Sequence, residues 1–578
     1  MRKFLSLAIV FASYVSGSAQ SSSIRNDELS TNQPRHIARI GINESVPIVL
    51  RGTIILPNGV VNHGYVAIVN GRIASVSEKQ PDIPDAVNLN THGIILPGFV
   101  DVHNHLKFNV LPPWKPGRLF TNRYQWRADP EYIRVVGDPI NRLRPSHFCD
   151  MNMWGELRAL VGGTTSIMAT DSQPCIHGLV RNLDFNSGFY GITELDREHI
   201  YNVLDLPPAS DAAARSAFVR AARFFIANPF YEGLFMHLAE GTDAVSEEEF
   251  TFLKSRSLLN PKGALIHGIS LTAADFQAMA LNGTALVWSP RSNLELYEQT
   301  ANINAALDAG VEIALAPDWA VTGSSNILDE LKVAEKWNRE RLGGRLTDEQ
   351  LVDMVTSIPA HIAGVDDEVG TITVGLRADI LVINGDQNEP YRSVIDGTAG
   401  NVDLVFIEGV PLYGDRTFME HFWKRYELEE INLSGVAKTL ATPAANLSVA
   451  DIANRLRLAL DSVGTSLAPL TESSVFELSA EPTTTQRVSM CQEKVNRSTL
   501  TVTARPNPSM NDFTVRIQSN SSEVLNLRVL DVLGRVVETR DGTVTNLIFH
   551  IGTNFQPGLY FVEIIQGTER QIVKLIKQ

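Results

Sequence analysis

The chain has 578 residues, of which 44% are hydrophobic and 20% charged, so it can form one large domain with smaller additions and bury a sizeable core. Its formal net charge of -15 argues against nucleic acid and anionic membranes as partners, because both require clustered Lys and Arg. The three cysteines show none of the close spacing of a cysteine-rich metal site.

The N-terminus has the pattern of a secretory signal peptide. Two basic residues precede an apolar run over residues 4–15, and small residues follow. We predict a signal peptide over residues 1–19, a flexible lead over residues 20–45 and no transmembrane span in the mature chain. Export would permit a disulfide between Cys149 and Cys175, a pairing that the sequence leaves open.

Residues 46–97 contain short apolar runs separated by turn signals, which predicts β-strands. The dipeptide Asn70-Gly71 lies between two such runs, residues 66–69 and 73–76, and this arrangement is typical of a β-hairpin. The apolar run over residues 94–100 predicts a buried strand that leads into the next region.

From residue 98 to residue 370, strand-like apolar runs alternate with amphipathic helical segments. The clearest strand-like runs are residues 163–168, 233–236, 264–266, 285–288 and 311–316. Residues 347–350 have the form of a capping box and predict a helix with an apolar stripe from Leu351 to Ile358. Repeated βα units predict a (β/α)8 TIM barrel, whose active site lies at the carboxyl ends of the strands.

Histidine and carboxylate side chains occur where these strands end. His103 and His105 follow the run over residues 94–100, and their i, i+2 spacing puts both imidazoles on one face of an extended strand. His237, His267 and Asp318 each close a later run. A single such residue commonly has only a hydrogen-bonding role, but their repetition within one barrel predicts a shared site.

The residue types indicate a metal centre. Neutral imidazoles and a carboxylate suit zinc or iron, and zinc lowers the pKa of a bound water to about 7 and so provides a hydroxide. We predict one divalent metal, with zinc preferred over iron, because no strand-like run supplies an evident bridging ligand for a second ion. The predicted ligands are His103, His105, His237 and Asp318.

Three residues have predicted catalytic roles. Asp318 would also accept the proton of the attacking water, and His267 would polarise the electrophilic substrate atom and stabilise the developing oxyanion. Glu240, three residues after His237, would transfer a proton to the leaving or ring nitrogen.

The combined motifs resemble the amidohydrolase superfamily, in particular the mononuclear branch that includes chlorohydrolases, guanine and cytosine deaminases and imidazolonepropionase. The segments that carry the resemblance are residues 96–105, 237–240, 290–293 and 375–379. The resemblance covers residues 46–425 and implies a small β-sandwich, formed by residues 46–97 and 371–425, on either side of a metal-dependent hydrolase barrel. It implies hydrolysis of a non-peptide or cyclic C–N bond, in an amide, amidine or heterocyclic amine, by metal-bound hydroxide.

Three residues are candidates for substrate binding. Asn293 lies in the motif over residues 290–293, and Trp319 stands where many members of the superfamily have a small residue. Trp126 lies in a long loop after the first barrel strand that is rich in aromatic and arginine side chains. These rings either pack the loop onto the barrel or line the pocket, and in the second case they favour a substrate that is planar or carries an anionic group.

The C-terminal part of the chain has a different composition. Residues 426–502 are rich in Ala, Ser and Thr, which predicts a linker with one amphipathic helix near residues 451–461. Residues 503–578 predict an all-β sandwich module. Its turn motifs and basic end resemble the C-terminal sorting domain of type IX secretion more than a carbohydrate-binding sandwich. That resemblance implies handling by the type IX secretion machinery and a location outside the cell or on the outer-membrane surface, reached through the periplasm.

Two classes of function remain open at this point. The first is an exported metal-dependent amidohydrolase that acts on a small molecule, and the second is a catalytically inactive cell-surface binding protein on the same fold. The complete set of metal ligands together with Glu240 favours the enzyme, because a binding protein needs no proton shuttle beside a metal-bound water.

Overall fold

The computed structural model describes residues 46–168, 179–183, 200–229, 231, 233–442, 448–471 and 500–578, the last range without 506, 508, 510, 520–523, 533–534, 543–546 and 567–568. The predicted signal peptide and lead lie outside the described residues. The chain divides into two compact units, Met1–Ser479 and Ala480–Gln578, and each is described by itself.

The strands of the first unit are β1 Ile48–Leu56, β2 Gly59–Val69, β3 Arg72–Ser77, β4 Val87–Pro97, β5 Phe99–Asp101, β6 Thr164–Ile167, β7 Arg181–Asn182, β8 Ile200–Asp205, β9 Gly233–Leu238, β10 Gly263–His267, β11 Ala285–Trp288, β12 Ile313–Leu315, β13 Ile380–Ile383, β14 Val402–Ile407, β15 Val410–Gly414, β16 Leu428–Leu433 and β17 Val436–Ala441. Its helices are α1 Arg123–Arg127, α2 Pro130–Tyr132, α3 Asp138–Val161, α4 Ala212–Ala227, α5 Ala244–Ser255, α6 Ala273–Leu281, α7 Pro290–Tyr297, α8 Ile303–Ala309, α9 Ile327–Arg341, α10 Asp348–Asp353, α11 Ser357–Ile362, α12 Pro390–Asp396, α13 Arg416–Met419 and α14 Val449–Ser462. Within the described residues, no helix combines the length and hydropathy needed to cross a membrane.

One nine-stranded sheet joins the segments on either side of the central region, in the order β16-β17-β15-β14-β13-β4-β1-β2-β3. The two segments meet where β4 pairs with β13. The hairpin expected at Asn70-Gly71 joins β2 to β3, and the φ angles of 50° and 74° at these residues suit the left-handed conformation that a type I′ turn requires. The sheet continues past residue 425, because β16 and β17 pair with each other and β17 pairs with β15. Part of the predicted linker therefore belongs to this sheet.

The central region has parallel strands in chain order, β5-β6-β7 in one sheet and β8 to β12 in another, separated by helices. Side chains along β9 alternate between two hydrophobic clusters, with Phe235 in one and Leu234 and Met236 in the other. This is the layering of a TIM-barrel-type fold, in which one face of each strand packs inward and the other packs against helices. The first and last strands approach each other beyond their ends, where Asp318 N donates to His103 O at 3.1 Å.

The run over residues 94–100 is divided between two sheets. Residues 94–97 end β4 of the nine-stranded sheet, and only residues 99–101 form the first strand of the central region. Gly98 lies between them, and a Cβ at this position would stand 2.1 Å from Cγ2 of Thr165 on β6. The close packing at this crossing therefore requires glycine.

The helix predicted from Leu351 to Ile358 is also divided. Its capping box is present, since Thr347 accepts from Gln350 N, but α10 ends at Asp353 and α11 begins at Ser357. Pro359 explains the break, because a proline inside a helix lacks the N–H donor and collides with the preceding turn. The prediction of one continuous helix was wrong.

The second unit contains antiparallel strands in sheets of three and four. These strands are β18 Leu500–Arg505, β19 Phe513–Ser519, β20 Leu525–Asp531, β21 Val536–Gly542, β22 Leu547–Ile551, β23 Gly558–Gln566 and β24 Glu569–Lys577. Alternate residues of β20 are buried, and they share one hydrophobic cluster with residues of β19 and β23. The expected all-β module is confirmed.

Candidate metal and catalytic site

The predicted metal ligands meet at the carboxyl ends of the parallel strands. His103 Nε2 lies 3.1 Å from His237 Nε2, and Asp318 Oδ1 lies 3.3 Å from the Nε2 atoms of both His103 and His105. The side chains of His103, His237 and Asp318 are buried, and that of His105 is 30% exposed. The structure therefore brings the four predicted ligands into one cluster.

The donor atoms of this cluster fit a divalent cation. Two sets of ligand atoms lie within 4.8 Å of one another, His103 with His105 and His237, and His103 with His267 and Asp318. Burial, reinforced by the neighbouring imidazoles, holds the pKa of His103 and His105 well below the usual range, so both rings are neutral and offer lone pairs. Burial also raises the pKa of Asp318 well above its usual range. A cation among these atoms would offset the cost of burying the carboxylate and of turning the lone pairs toward one another.

Two residues that the sequence did not single out lie against the Nδ1 atoms of predicted histidine ligands. Ser289 Oγ lies 2.9 Å from His103 Nδ1, and Asp205 Oδ1 lies 2.8 Å from His237 Nδ1. Asp205 also accepts from Arg127 Nη1 at 3.1 Å. Protons on the Nδ1 atoms leave the Nε2 atoms free to bind a metal. Asp205 ends β8, so the strand-end pattern could have found it had residues 200–205 been recognised as a strand.

The two carboxylate oxygens of Glu240 have different surroundings. Its Oε1 accepts from Tyr297 OH at 2.7 Å and from Trp126 Nε1 at 3.2 Å, while its Oε2 lies 3.7 Å from His267 Nε2. Burial alone would raise the pKa of Glu240, but nearby basic groups, including His267 and Arg127, outweigh burial and lower it. Glu240 is therefore an ionised base with one free oxygen. The sequence pattern did not indicate a site role for Tyr297, because this residue of α7 contacts Glu240 only in the folded chain.

Asn293 fixes the orientation of the His267 ring. Its Oδ1 lies 2.8 Å from His267 Nδ1, and its Nδ2 donates to Thr300 Oγ1 at 3.0 Å. Burial lowers the pKa of His267 to about 4, so the ring is neutral, with its proton on Nδ1 and a lone pair on Nε2. A neutral ring in this orientation accepts a hydrogen bond or binds a metal at Nε2. The predicted stabilisation of an oxyanion requires the doubly protonated ring.

The backbone turns sharply at two of the predicted site residues. His267 has φ 73° and Asp318 has φ 67°, both in the left-handed region that non-glycine residues seldom adopt. Such conformations cost about 1–3 kcal/mol each and persist where the surrounding structure holds them. Ser292 Oγ donates to Asp318 Oδ2 at 2.6 Å and so fixes the carboxylate at the end of this turn.

A group of aromatic rings, here called the aromatic wall, lies beside the predicted metal ligands. The ring of Trp319 lies 5.5 Å from that of Trp126, 5.2 Å from that of Phe108 and 5.9 Å from that of His105. Trp126 and Trp319 are 6% and 4% exposed. The rings therefore pack against one another and also border the site, so the two interpretations drawn from the sequence are compatible.

The arginines of the same loop have carboxylate partners. Arg118 pairs with Asp129 at 2.8 Å, Arg123 with Glu249 at 2.9 Å and Arg127 with Asp205 at 3.1 Å. The pairs with Glu249 and Asp205 attach the loop to neighbouring elements of the first unit. They favour the planar substrate over the anionic one, because the positive charges are already balanced.

The loop is also fastened to the turn that follows Glu240. Thr242 N donates to Thr121 O at 2.7 Å, and Arg123 N donates to Glu240 O at 3.2 Å. Gly241 has φ 147° and leaves no room for a Cβ, which would lie 2.3 Å from Thr121 O. The segment that bears Trp126 and the turn that bears Glu240 thus form one rigid arrangement.

The sequence leaves open whether Cys149 and Cys175 form a disulfide. Cys149, on α3, is disulfide-bonded. Cys175 lies outside the described residues.

Two family descriptions match the chain. Residues 234–412 match the amidohydrolase family, and residues 504–578 match the secretion system C-terminal sorting domain. The second match indicates export to the cell surface or the surroundings.

Known proteins of similar sequence are deaminases. The chain is 23% identical over 425 residues to 5-methylthioadenosine/S-adenosylhomocysteine deaminase of Desulfitobacterium hafniense, covering 66% of this chain and 96% of that protein. It is 21% identical over 392 residues to 5'-deoxyadenosine deaminase of Methanobrevibacter smithii, covering 61% and 89%.

Solved structures share the fold. A triazine hydrolase variant has a TM-score of 0.52 and 17% identity, covering 64% of this chain and 95% of that structure. A mutant of atrazine chlorohydrolase from Arthrobacter aurescens TC1, complexed with zinc and atraton, has a TM-score of 0.51 and 17% identity, covering 63% and 95%. The chain carries an amidohydrolase-family domain and a C-terminal type IX secretion sorting domain, and its homologues are deaminases and hydrolases of the same superfamily.

Proposed function

We propose that the protein is an exported, metal-dependent amidohydrolase that cleaves a non-peptide or cyclic C–N bond of a small molecule, in the manner of a deaminase. The observation that carries the proposal is the cluster of imidazoles and a carboxylate beside the ionised Glu240. The deaminases of similar sequence support the reaction class. The sorting domain supports passage through the periplasm to the outer-membrane surface or beyond.

The proposed cofactor is one zinc ion, with iron as the alternative. Its proposed ligands are His103, His105, His237 and Asp318. A zinc-containing structure of the same fold supports this choice. When bound, the metal supplies Lewis-acid activation of water.

The residues around the metal divide the proton transfers between them. Asp318 takes up the proton of the water and later returns it to solvent. The ionised Glu240 takes up one proton at Oε2 and delivers it to the nitrogen that leaves, so both carboxylates end unprotonated. Water thus adds a hydroxyl group to the carbon and a proton to the nitrogen, and the C–N bond breaks. The lone pair on His267 Nε2 binds the metal as a further ligand or accepts a hydrogen bond. The His267 ring stabilises an oxyanion only after Nε2 takes up a proton.

The aromatic wall favours a substrate that contains a planar ring. Trp319 lies beside His105 and packs on Trp126, and these apolar rings suit a planar substrate ring. The burial of both tryptophans keeps bulk water from the reacting atoms. Asn293 contributes through His267, whose ring it orients.

We also propose that the parallel strands close into a complete (β/α)8 barrel. Asn104 and Asp318 form a parallel bridge between the segments after β5 and β12, and Val100 N donates to Val355 O at 2.9 Å. These contacts support closure between the first and last strands.

The test uses the purified full chain and two substrate panels, heterocyclic amines and cyclic amides. We expect release of ammonia or ring opening by the metal-loaded protein, loss of turnover with a chelator and recovery with zinc or iron. The Asp308→Asn variant, whose carboxylate is exposed and pairs with Arg345, is the matched control and should behave as the wild type. Tight ligand binding without turnover by the metal-loaded chain would favour the inactive binding protein instead, and turnover that survives complete metal removal would exclude the proposed chemistry.

A further inference from the structure

The segment after the nine-stranded sheet is anchored at its start. Helix α14 begins with Ser448, whose Oγ accepts from Asp451 N at 3.3 Å. Glu429 of β16 accepts from Val449 N at 2.9 Å and from Ala450 N at 2.8 Å. The sheet edge thereby supplies a carboxylate to the free N–H groups of the helix.

Helix α14 packs its apolar stripe against α3. The buried residues of this stripe are Val449, Ile452, Ala453, Leu456 and Leu460. Arg455 forms a two-point pair with Asp150 of α3, with Nε and Nη2 at 2.9 and 2.7 Å from the carboxylate oxygens. A solvated linker would not bury a regular helical stripe of this kind.

The chain beyond α14 ties α3 to the loop behind the metal ligands. Ala468 N donates to Val110 O at 2.9 Å, and Trp154 Nε1 of α3 donates to Ala468 O at 3.1 Å. Ala468 is 1% exposed. One buried residue of the C-terminal segment therefore bridges two elements that come before it by more than 300 positions.

Val110 is linked to the proposed metal site by the hydrogen bonds of the adjacent residue, Asn109. Asn109 Nδ2 donates to Asn104 Oδ1 at 2.9 Å, and Asn109 Oδ1 accepts from Ala320 N at 2.8 Å. Asn104 lies between the ligands His103 and His105, and Ala320 follows the turn at Asp318 and Trp319. A shift of Val110 would therefore also move Asn109, which contacts both the turn around Asn104 and the turn after Asp318.

We propose that residues 448–471 are a strap that belongs to the catalytic unit and positions the loop over residues 106–111, which supports the metal-binding turns. The strap makes the functional unit longer than the segment that resembles the superfamily. The expected effect on turnover rests on the proposed function, whereas the expected effect on the loop does not.

The first test removes one hydrogen bond in the full chain. Ala468→Pro abolishes the donor to Val110 O, and Ser466→Pro, at an exposed position two residues earlier, is the matched control. We expect amide hydrogen exchange over residues 106–111 to rise about tenfold or more in Ala468→Pro alone, and kcat/KM to fall about tenfold at unchanged metal content, because misplaced site groups react slowly.

The second test keeps the backbone intact and applies if Ala468→Pro fails to fold. Arg455→Asp places like charges across the α14–α3 contact, and the double variant Arg455→Asp with Asp150→Arg restores the attraction. We expect faster exchange over residues 106–111 in the single variant and a return toward wild-type exchange in the double variant.

The outcomes separate the two proposals. Unchanged exchange over residues 106–111 in the folded variants would overturn the strap, whatever their turnover. Faster exchange in a protein that hydrolyses no C–N bond would leave the strap standing and count against the proposed function.

Discussion

Replacement of Asp205 by asparagine should weaken metal binding without removing a ligand. The carboxylate lies 2.8 Å from His237 Nδ1 and makes this ring a better donor to a metal at Nε2. Loss of such a partner typically costs about 10- to 100-fold in metal affinity. The Asp205 side chain is 50% exposed, so water replaces part of its effect, and we expect the lower end, about tenfold or ~1.4 kcal/mol.

The assay is a zinc titration of metal-free protein against a coloured chelator of known affinity. Asp308→Asn removes an exposed carboxylate paired with Arg345 and should leave the zinc affinity unchanged. If Asp205→Asn bound zinc as tightly as this control, the carboxylate would not tune His237, and the account of the ligand orientation would be wrong.

Three further predictions concern the proton shuttle, the loop and the sheet. Glu240→Gln should lower kcat by about 10²- to 10⁴-fold at unchanged metal content, measured by turnover and metal analysis, and full activity would exclude the proton transfer. Gly241→Ala should lower the free energy of unfolding by about 2 kcal/mol or more, because the added Cβ would lie 2.3 Å from a backbone oxygen, whereas Gly310→Ala, with open space around it, should cost less in the same denaturant titration. Burial, with repulsion from Asp415, raises the pKa of Asp403 to about 7, so the folded state holds this proton more tightly than the unfolded state and loses stability as the pH rises from about 4 to about 7. The thermal midpoint of the wild type relative to Asp403→Asn should therefore fall across that interval, and a constant difference would contradict the shift.

The strand-end pattern predicted residues that the structure brings together, because this pattern is local in the sequence. Apolar runs that end in His237, His267 and Asp318 are visible in the sequence, and parallel strands bring such ends together. Asp205 follows the same rule and was missed only because its strand was not recognised. Tyr297 follows no such rule, since a helical residue reaches the site through the angle at which its helix packs.

Composition was a poor guide to the segment over residues 426–502, whose structure depends on tertiary contacts. The segment over residues 426–502 looked like a linker because it is rich in small and polar residues. Its described part instead contains two strands and a helix whose apolar positions are spaced for packing. The amphipathic helix itself was expected, but the sequence did not reveal α3 as its partner, because the two lie about 300 residues apart.

The metal content of the purified full chain decides whether the histidine and aspartate cluster is a metal centre. We expect one divalent ion per chain by elemental analysis and loss of this ion in His237→Ala, because the two sets of ligand atoms share His103 and so surround a single centre. An active protein without metal, or wild-type metal content in His237→Ala, would contradict this expectation.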